Sequence, residues 1–209
     1  MTRSPSYCGV ILAAGESSRM GRDKALLPWP PDKSGQPRDG TFLSAAINTL
    51  ERHSELVLVV VGKNADNLAP LVYSSSASLV VNPAPERGQF SSMQIGLQAV
   101  LNHGRDTAIL TLVDRPPARD ATIEKLKTAF VLSPSSTWMV VPQYGDKHGH
   151  PVIIGREMIE VFLRAPVTST AREIEHANQN HIEYVTVDDP HVIMNVDTPD
   201  DYARLQVPC

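Results

Sequence analysis

The amino-acid sequence predicts a three-layer α/β/α fold built on a mostly parallel, mixed sheet. Three observations carry this. Residues 7–13, 56–61 and 107–113 are almost continuously apolar and rich in β-branched side chains, as strands buried on both faces are. These runs alternate with segments whose apolar residues recur at helical spacing, the arrangement of a parallel sheet with crossover helices. The first run then breaks into small and polar residues with two glycines, at the kind of strand end where such sheets bind ligands.

In chain order, the strand over 7–13 leads into a loop over 14–24. Residues 26–40 carry Pro28, Pro30, Pro31 and Pro37 with Gly35 and Gly40, which excludes regular helix and central strand. They read as a long surface loop, either a lid beside the preceding loop or a disordered insertion. Thr41 caps a helix to about residue 52, with Phe42, Ala45, Ala46, Thr49 and Leu50 available for its buried side. A strand over 56–61, a short helix over 65–72 and a short strand over 79–81 follow, ending at Asn82-Pro83. Ser91-Ser92 reads as a helix start, with Met93, Leu97, Val100 and Leu101 behind it.

The strand over 107–113 ends at Asp114-Arg115-Pro116-Pro117. A helix over 119–131 and a strand over 137–142 precede His148-Gly149-His150-Pro151 and an apolar strand over 152–154. Helices over 156–163 and 169–178, a strand over 182–187 and an extended run over 192–196 complete the pattern. The last helix opens at Thr198-Pro199-Asp200-Asp201, with a threonine cap, proline at the first helical position and acids in the first turn.

The 209 residues are 42% hydrophobic, enough for a full core, and predict a single domain over 1–209 with the Pro/Gly-rich loop at 26–40. Charged residues are 20% and the formal net charge is -4, which excludes a general nucleic-acid binder. The two cysteines, Cys8 and Cys209, form neither a disulfide framework nor a zinc site, and a reducing cytoplasm is the expected location. Residues 1–6 lack the apolar core of a signal peptide, and no apolar run reaches the roughly 18 residues of a membrane span.

The loop itself predicts phosphate binding. Ala14, Gly15, Ser17, Ser18 and Gly21 leave room for a ligand against the backbone, and Arg19, Arg22 and Lys24 supply three cations within six positions. Gly15 and Gly21 are too far apart for the ATPase loop, Lys24 does not follow Gly21, and the dinucleotide fingerprint G-x-G-x-x-G is absent. Asp114 ends the run ILTLVD and Asp197 ends VIMNVD. Two carboxylates arriving from separate extended runs beside a phosphate loop suggest a divalent cation, since magnesium takes a few carboxylates, water and substrate phosphates. His148 and His150 have no third metal ligand nearby in sequence and read as solvated turn histidines.

The string L-A-A-G-x-S-x-R-M-G-x-x-K, over residues 12–24, closely resembles the signature loop of the MobA-like nucleotidyltransferases. Leu112-Val113-Asp114-Arg115-Pro116 is similar to that family's G-D-x-P segment, with Val113 in place of glycine. Asn195-Val196-Asp197-Thr198-Pro199 is similar to its D-x-D-T-P segment, with Asn195 in place of an acid. Asn82, Gly88, Ser91 and Ser92 resemble the part lining the base and ribose, and Gly149-His150-Pro151 with Arg172 resembles the acceptor side.

The resemblance implies a Rossmann-like nucleotidyltransferase that moves a nucleoside monophosphate from an NTP to a phosphorylated acceptor. Leu12, Ala13, Ala14, Gly15, Ser17, Ser18, Met20 and Gly21 would bind the nucleotide. Lys24 would meet the α-phosphate, Arg19 and loop amides the outer phosphates, and Asp114 and Asp197 would hold Mg²⁺. Within the family, M-G-x-x-K-A-L-L, G-H-P and D-T-P-D-D-Y look nearest to the molybdenum-cofactor cytidylyltransferase group. That implies CTP as donor, molybdopterin as acceptor and a molybdoenzyme as eventual recipient. The guanylyl and sugar-phosphate branches share much of the signature. The substitutions at Val113 and Asn195 keep a non-catalytic cofactor carrier as the alternative of a different class.

Overall fold

The computed structural model describes residues 4–15, 17, 20–31 and 40–205. Among the described residues eight strands form one sheet: β1 (Tyr7–Leu12), β2 (Leu56–Val61), β3 (Ser78–Val81), β4 (Thr107–Leu112), β5 (Met139–Tyr144), β6 (Lys147–His148), β7 (Val152–Gly155) and β8 (Ile182–Thr186). Their order is β3-β2-β1-β4-β7-β5-β6, with β8 also paired to β5. The pairs β1–β2, β1–β4, β2–β3 and β5–β8 are parallel, while β7 runs antiparallel to both β4 and β5. The expected mostly parallel, mixed sheet is what forms.

Among the described residues seven α-helices cover it: α1 (Phe42–Glu51), α2 (Ala65–Tyr73), α3 (Gln89–Asn102), α4 (Asp120–Leu132), α5 (Arg156–Arg164), α6 (Ala171–Ala177) and α7 (Pro199–Arg204). Alternate strand residues feed two cores. Val10, Leu12, Leu58 and Val60 pack with Leu97 and Val100 of α3 and Phe162 of α5. Ile11, Val57, Val59 and Val61 pack with Leu43, Ile47 and Leu50 of α1, Leu68 and Val72 of α2 and Ile123 of α4. Each fully buried side chain of this size contributes about 1.5–3 kcal/mol, so burial on both faces explains the unbroken apolar runs.

Three local expectations change. Residues 192–196 are not an extended strand. Pro190–Ile193 is a 3-10 turn, capped by the buried Asp189, whose Oδ1 accepts from the His191 amide at 3.1 Å. Ser91-Ser92 lies inside the first turn of α3 rather than at its cap, which is Gly88. The first part of 26–40 is not a surface loop. Leu27 is fully buried, its carbonyl accepts from Phe42 N at 2.9 Å, and Trp29 packs edge-on against Phe42 at 4.9 Å between ring centroids. Tyr202 of α7 locks this corner by donating from its hydroxyl to the Pro28 carbonyl at 2.7 Å. Residues 32–39, the heart of the expected lid, lie outside the described residues.

Candidate active site

The expected phosphate loop leaves the central strand β1 and is pinned at both ends. Asn64 donates from Nδ2 to the Ala13 carbonyl at 2.9 Å and to Asp23 Oδ2 at 2.7 Å. Asp23 Oδ1 in turn accepts from Ala25 N at 3.0 Å, capping the 3-10 turn Lys24–Leu26. Ser17, at φ 48, accepts from Lys24 N at 3.1 Å through its hydroxyl, and Gly21 takes φ 70, a left-handed conformation that suits glycine. Lys24 is 8% exposed, so its ammonium is aimed inward rather than into solvent. Ser18 and Arg19 lie outside the described residues.

The two acids converge. β1 and β4 are parallel neighbours, with Leu12 opposite Leu112, so Asp114 leaves the sheet beside the phosphate loop. Val196 N donates to the Asp114 carbonyl at 2.8 Å, which brings Asp197 alongside. Lys24 Nζ lies 2.7 Å from Asp197 Oδ1 and 3.7 Å from Asp114 Oδ2. Asp114 Oδ1 is buried and has no hydrogen-bond partner among the described residues.

Asp197 is held by the predicted cap: Asp201 Oδ2 accepts from the amides of Asp197 at 3.1 Å and Thr198 at 2.9 Å. Those bonds hold the Asp201 carboxyl below the usual carboxylate range, the Thr198 hydroxyl contributing most. The 189–197 segment is moored to the turn after β4. Arg119 N and Thr122 Oγ1 donate to Asp189 Oδ2 at 2.8 and 2.9 Å, and Arg115 Nη1 donates to the Val192 carbonyl at 2.8 Å. Burial pushes the Arg115 guanidinium below its ordinary range, against the opposing pull of Asp114 and Asp197.

His150 corrects the reading of a solvated turn histidine. It donates its backbone N–H to the same Val192 carbonyl at 2.9 Å, and its Nδ1 is buried with no hydrogen-bond partner among the described residues. Burial lowers its pKa to about 3, so the ring is a neutral imidazole at physiological pH. Gly149 is required beside it, because a Cβ there would collide with the Val192 carbonyl oxygen. His148 stays exposed and stacks on Tyr184 at 4.0 Å.

Two cavities meet at Asp114. One, of about 440 Å³, is lined by Leu12, Ala14, Gly15, Ser17, Lys24, Gly88, Ser92 and Asp114, together with Glu86 and Gln89. The other, of about 680 Å³, holds Asp114, Asp197, Asn195, Arg115, His150, Arg172 and Glu175. They share Leu12, Leu112, Gly88, Gln89 and Asp114 as a common wall. Gly21 lies in a third cavity behind the loop, with Arg22, Lys63 and Asn64.

The expected base-and-ribose segment divides. Gly88 and Ser92 face the smaller cavity, but Asn82 is 2% exposed and donates to Ser91 Oγ at 3.0 Å and Ser92 Oγ at 2.9 Å. Its Oδ1 accepts from Ala84 N at 2.9 Å, so its amide braces the 84–88 turn. Ala13 and Met20 are also packed inside, Ala13 through a backbone bond to Val60. Sequence reasoning missed Asn64, Arg115 and Glu175. Only Arg115 had a signal, its place directly after Asp114.

Residues 9–182 match the MobA-like NTP transferase domain. The chain belongs to the MobA-like NTP transferase family. It is a nucleotidyltransferase, and two relatives named as such align with it over nearly their whole length. It is 25% identical to the molybdenum cofactor cytidylyltransferase of Escherichia coli (strain K12), covering 92% of each chain. It is 30% identical to the molybdenum cofactor guanylyltransferase of Xanthomonas euvesicatoria pv. vesicatoria, covering 98% of this chain and 97% of that one. Among solved structures it is similar to Rv0371c from Mycobacterium tuberculosis H37Rv, at TM-score 0.79, 28% identity and 98% coverage of both chains. A manganese complex of Rv0371c matches at TM-score 0.72 and 24% identity, covering 96% of this chain and 98% of that one. Among the described residues no helix is long and apolar enough to cross a membrane.

Proposed function

We propose that this nucleotidyltransferase moves a nucleoside monophosphate from an NTP to the terminal phosphate of molybdopterin, releasing pyrophosphate, with CTP as donor. The observation that carries the reading is the pair of cavities meeting at Asp114, with Lys24 in one and Asp197 in the other. A donor in the smaller cavity and an acceptor in the larger would place the reacting phosphates at the shared wall. A cofactor handed on to a molybdoenzyme is the natural fate of such a product. The GTP reading is kept beside it because a guanylyltransferase at 30% identity is among the relatives.

The chemistry needs no general base, since an acceptor phosphate is already ionised near neutral pH. What remains is in-line alignment and neutralisation of charge at phosphorus and on the departing pyrophosphate. Lys24 is the cation in place for the α-phosphate. Ala14, Gly15 and Ser17 offer a close backbone approach, and Arg19 belongs to the same proposal for the outer phosphates. Arg115 and Arg172 supply positive charge on the acceptor side.

The donor set fits a hard divalent cation. Asp114 and Asp197 both turn carboxylate oxygens to one point, now spanned by the Lys24 ammonium, and Asp114 Oδ1 has a lone pair to spare. Among the described residues no three His, Cys, Asp or Glu side chains gather as a metal site, so phosphate oxygens and water would complete the shell. Mg²⁺ held there would neutralise phosphate charge. Assaying pyrophosphate release from each of the four NTPs with molybdopterin and Mg²⁺ tests the proposal. Release with CTP above the other three supports it, release with GTP alone moves the donor, and release only with another phosphorylated acceptor refutes the pterin.

A further inference from the structure

The larger cleft contains a carboxylate that transfer chemistry does not use. Glu175 lies in α6, on the cleft wall with His150, Arg115 and Arg172. Its carboxylate makes no hydrogen bond or ion pair among the described residues, although Arg172 is one turn earlier on the same helix. Its position is fixed from the start of α6, where Thr170 and Glu173 form a capping box. Burial pushes its carboxyl up to about 6. A half-buried carboxylate without a partner is unfavourable in the free protein, and a ligand that donates to it removes that cost.

An anionic phosphate cannot be that ligand group, because it would repel Glu175. The phosphate belongs beside Arg115 and Arg172. The opposite need, two adjacent N–H donors matching the two oxygens of a carboxylate, is met by the edge of a 2-amino-4-oxopyrimidine ring. Phe90, Met93 and Val152 line the same cleft and offer apolar surface to the faces of a flat ring.

We infer that Glu175 is a specificity-determining residue of the acceptor cleft, accepting the paired N–H groups on the 2-amino-4-oxopyrimidine edge of a pterin. Guanine presents the same edge. Glu175 lines the cavity of Asp197 and Arg172, not the one formed by Ala14 and Gly15, so the acceptor is the group it reads. The inference rests on the larger cleft being the acceptor site.

The test is a fluorescence titration of the intact chain with free pterin and with lumazine, which carries an oxygen in place of the 2-amino group. The parent should bind pterin tenfold or more tightly than lumazine, because a site built to accept from N–H rejects a ligand that lacks it. Glu175→Gln should bring the two affinities together and raise KM for molybdopterin, leaving kcat and the NTP affinity unchanged. Its melting temperature should equal or exceed the parent's, because a structural role would lower it. A parent that does not distinguish the two pteridines, or a Glu175→Gln variant that still does, overturns the inference and leaves nucleotidyl transfer standing. A variant that loses GTP affinity and keeps pterin affinity also overturns it, since the carboxylate then reads the donor base. Turnover with a non-pterin phosphorylated acceptor, together with no binding of either pteridine, removes the pterin reading itself and this inference with it.

Discussion

The Lys24 ammonium sits 2.7 Å from the Asp197 carboxylate, although 173 residues separate the two in sequence. Asp114 Oδ2, 3.7 Å from the same nitrogen, completes a bridge between the phosphate loop and both acidic segments. The single lysine charge lies between the two carboxylates and offsets one of them. In the proposed transfer, the same three charges would face phosphates.

Lys24→Ala should therefore lower turnover by roughly 10²–10³, as expected for loss of one charge placed at a reacting phosphorus. Melting should shift far less, and Mg²⁺ should stabilise the variant more than the parent, because the place of the ammonium between the two carboxylates is vacated. Steady-state rates at saturating NTP and melting curves with and without Mg²⁺ check both. Parental turnover would remove Lys24 from the chemistry.

Arg115→Ala should loosen the segment that carries Asp197. The guanidinium bond to the Val192 carbonyl, with its charge partly buried, is worth about 1–3 kcal/mol in unfolding free energy. Because Asp197 lies five residues beyond Val192, turnover should fall by roughly tenfold or more as alignment degrades. Chemical denaturation and kinetics together test this, and a variant as active and stable as the parent rules out the mooring role.

A pH effect on stability follows from the far side of the sheet. His53, 7% exposed, has Nε2 2.8 Å from Asp120 Oδ1 and Nδ1 2.7 Å from Glu124 Oε1. Hydrogen bonds from Arg52 and then His53 hold the Asp120 carboxyl below its ordinary range, and His53 does the same for Glu124. A depressed folded pKa stabilises above the ordinary carboxylate value and is lost as pH falls through the folded one. The melting temperature of the parent should thus drop from about pH 4 downward. A variant carrying both Asp120→Asn and Glu124→Gln should show a flatter profile there, and superimposable profiles would exclude the cluster as the cause.

Much of the site was legible in sequence because its determinants are local. The turn after a buried strand put Lys24 in place, and Thr198-Pro199-Asp200-Asp201 announced both a helix cap and the neighbourhood of Asp197. Residues 192–196 misled because a β-branched pattern looks extended, whereas Asp189 caps a 3-10 turn there and Arg115 and His150 bind the Val192 carbonyl from other elements. His150 looked solvated for the same reason: its burial comes from Val192, 42 positions away. Asn82 carried the right residue type for a ligand contact, yet its amide is consumed by Ser91, Ser92 and Ala84. Glu175 gave no signal at all, since an acid on a short amphipathic helix normally faces water.

The most direct test of a shared transfer centre is pyrophosphate release by Asp114→Asn, Asp197→Asn and the double variant across a Mg²⁺ titration. If the two acids act as one unit, each single change removes most activity and the double costs far less than the product of the singles. NTP binding without metal survives in part through Lys24 and the loop. Independent, multiplicative losses with an unchanged Mg²⁺ dependence would contradict this, leaving Asp114 and Asp197 as structural partners of Lys24.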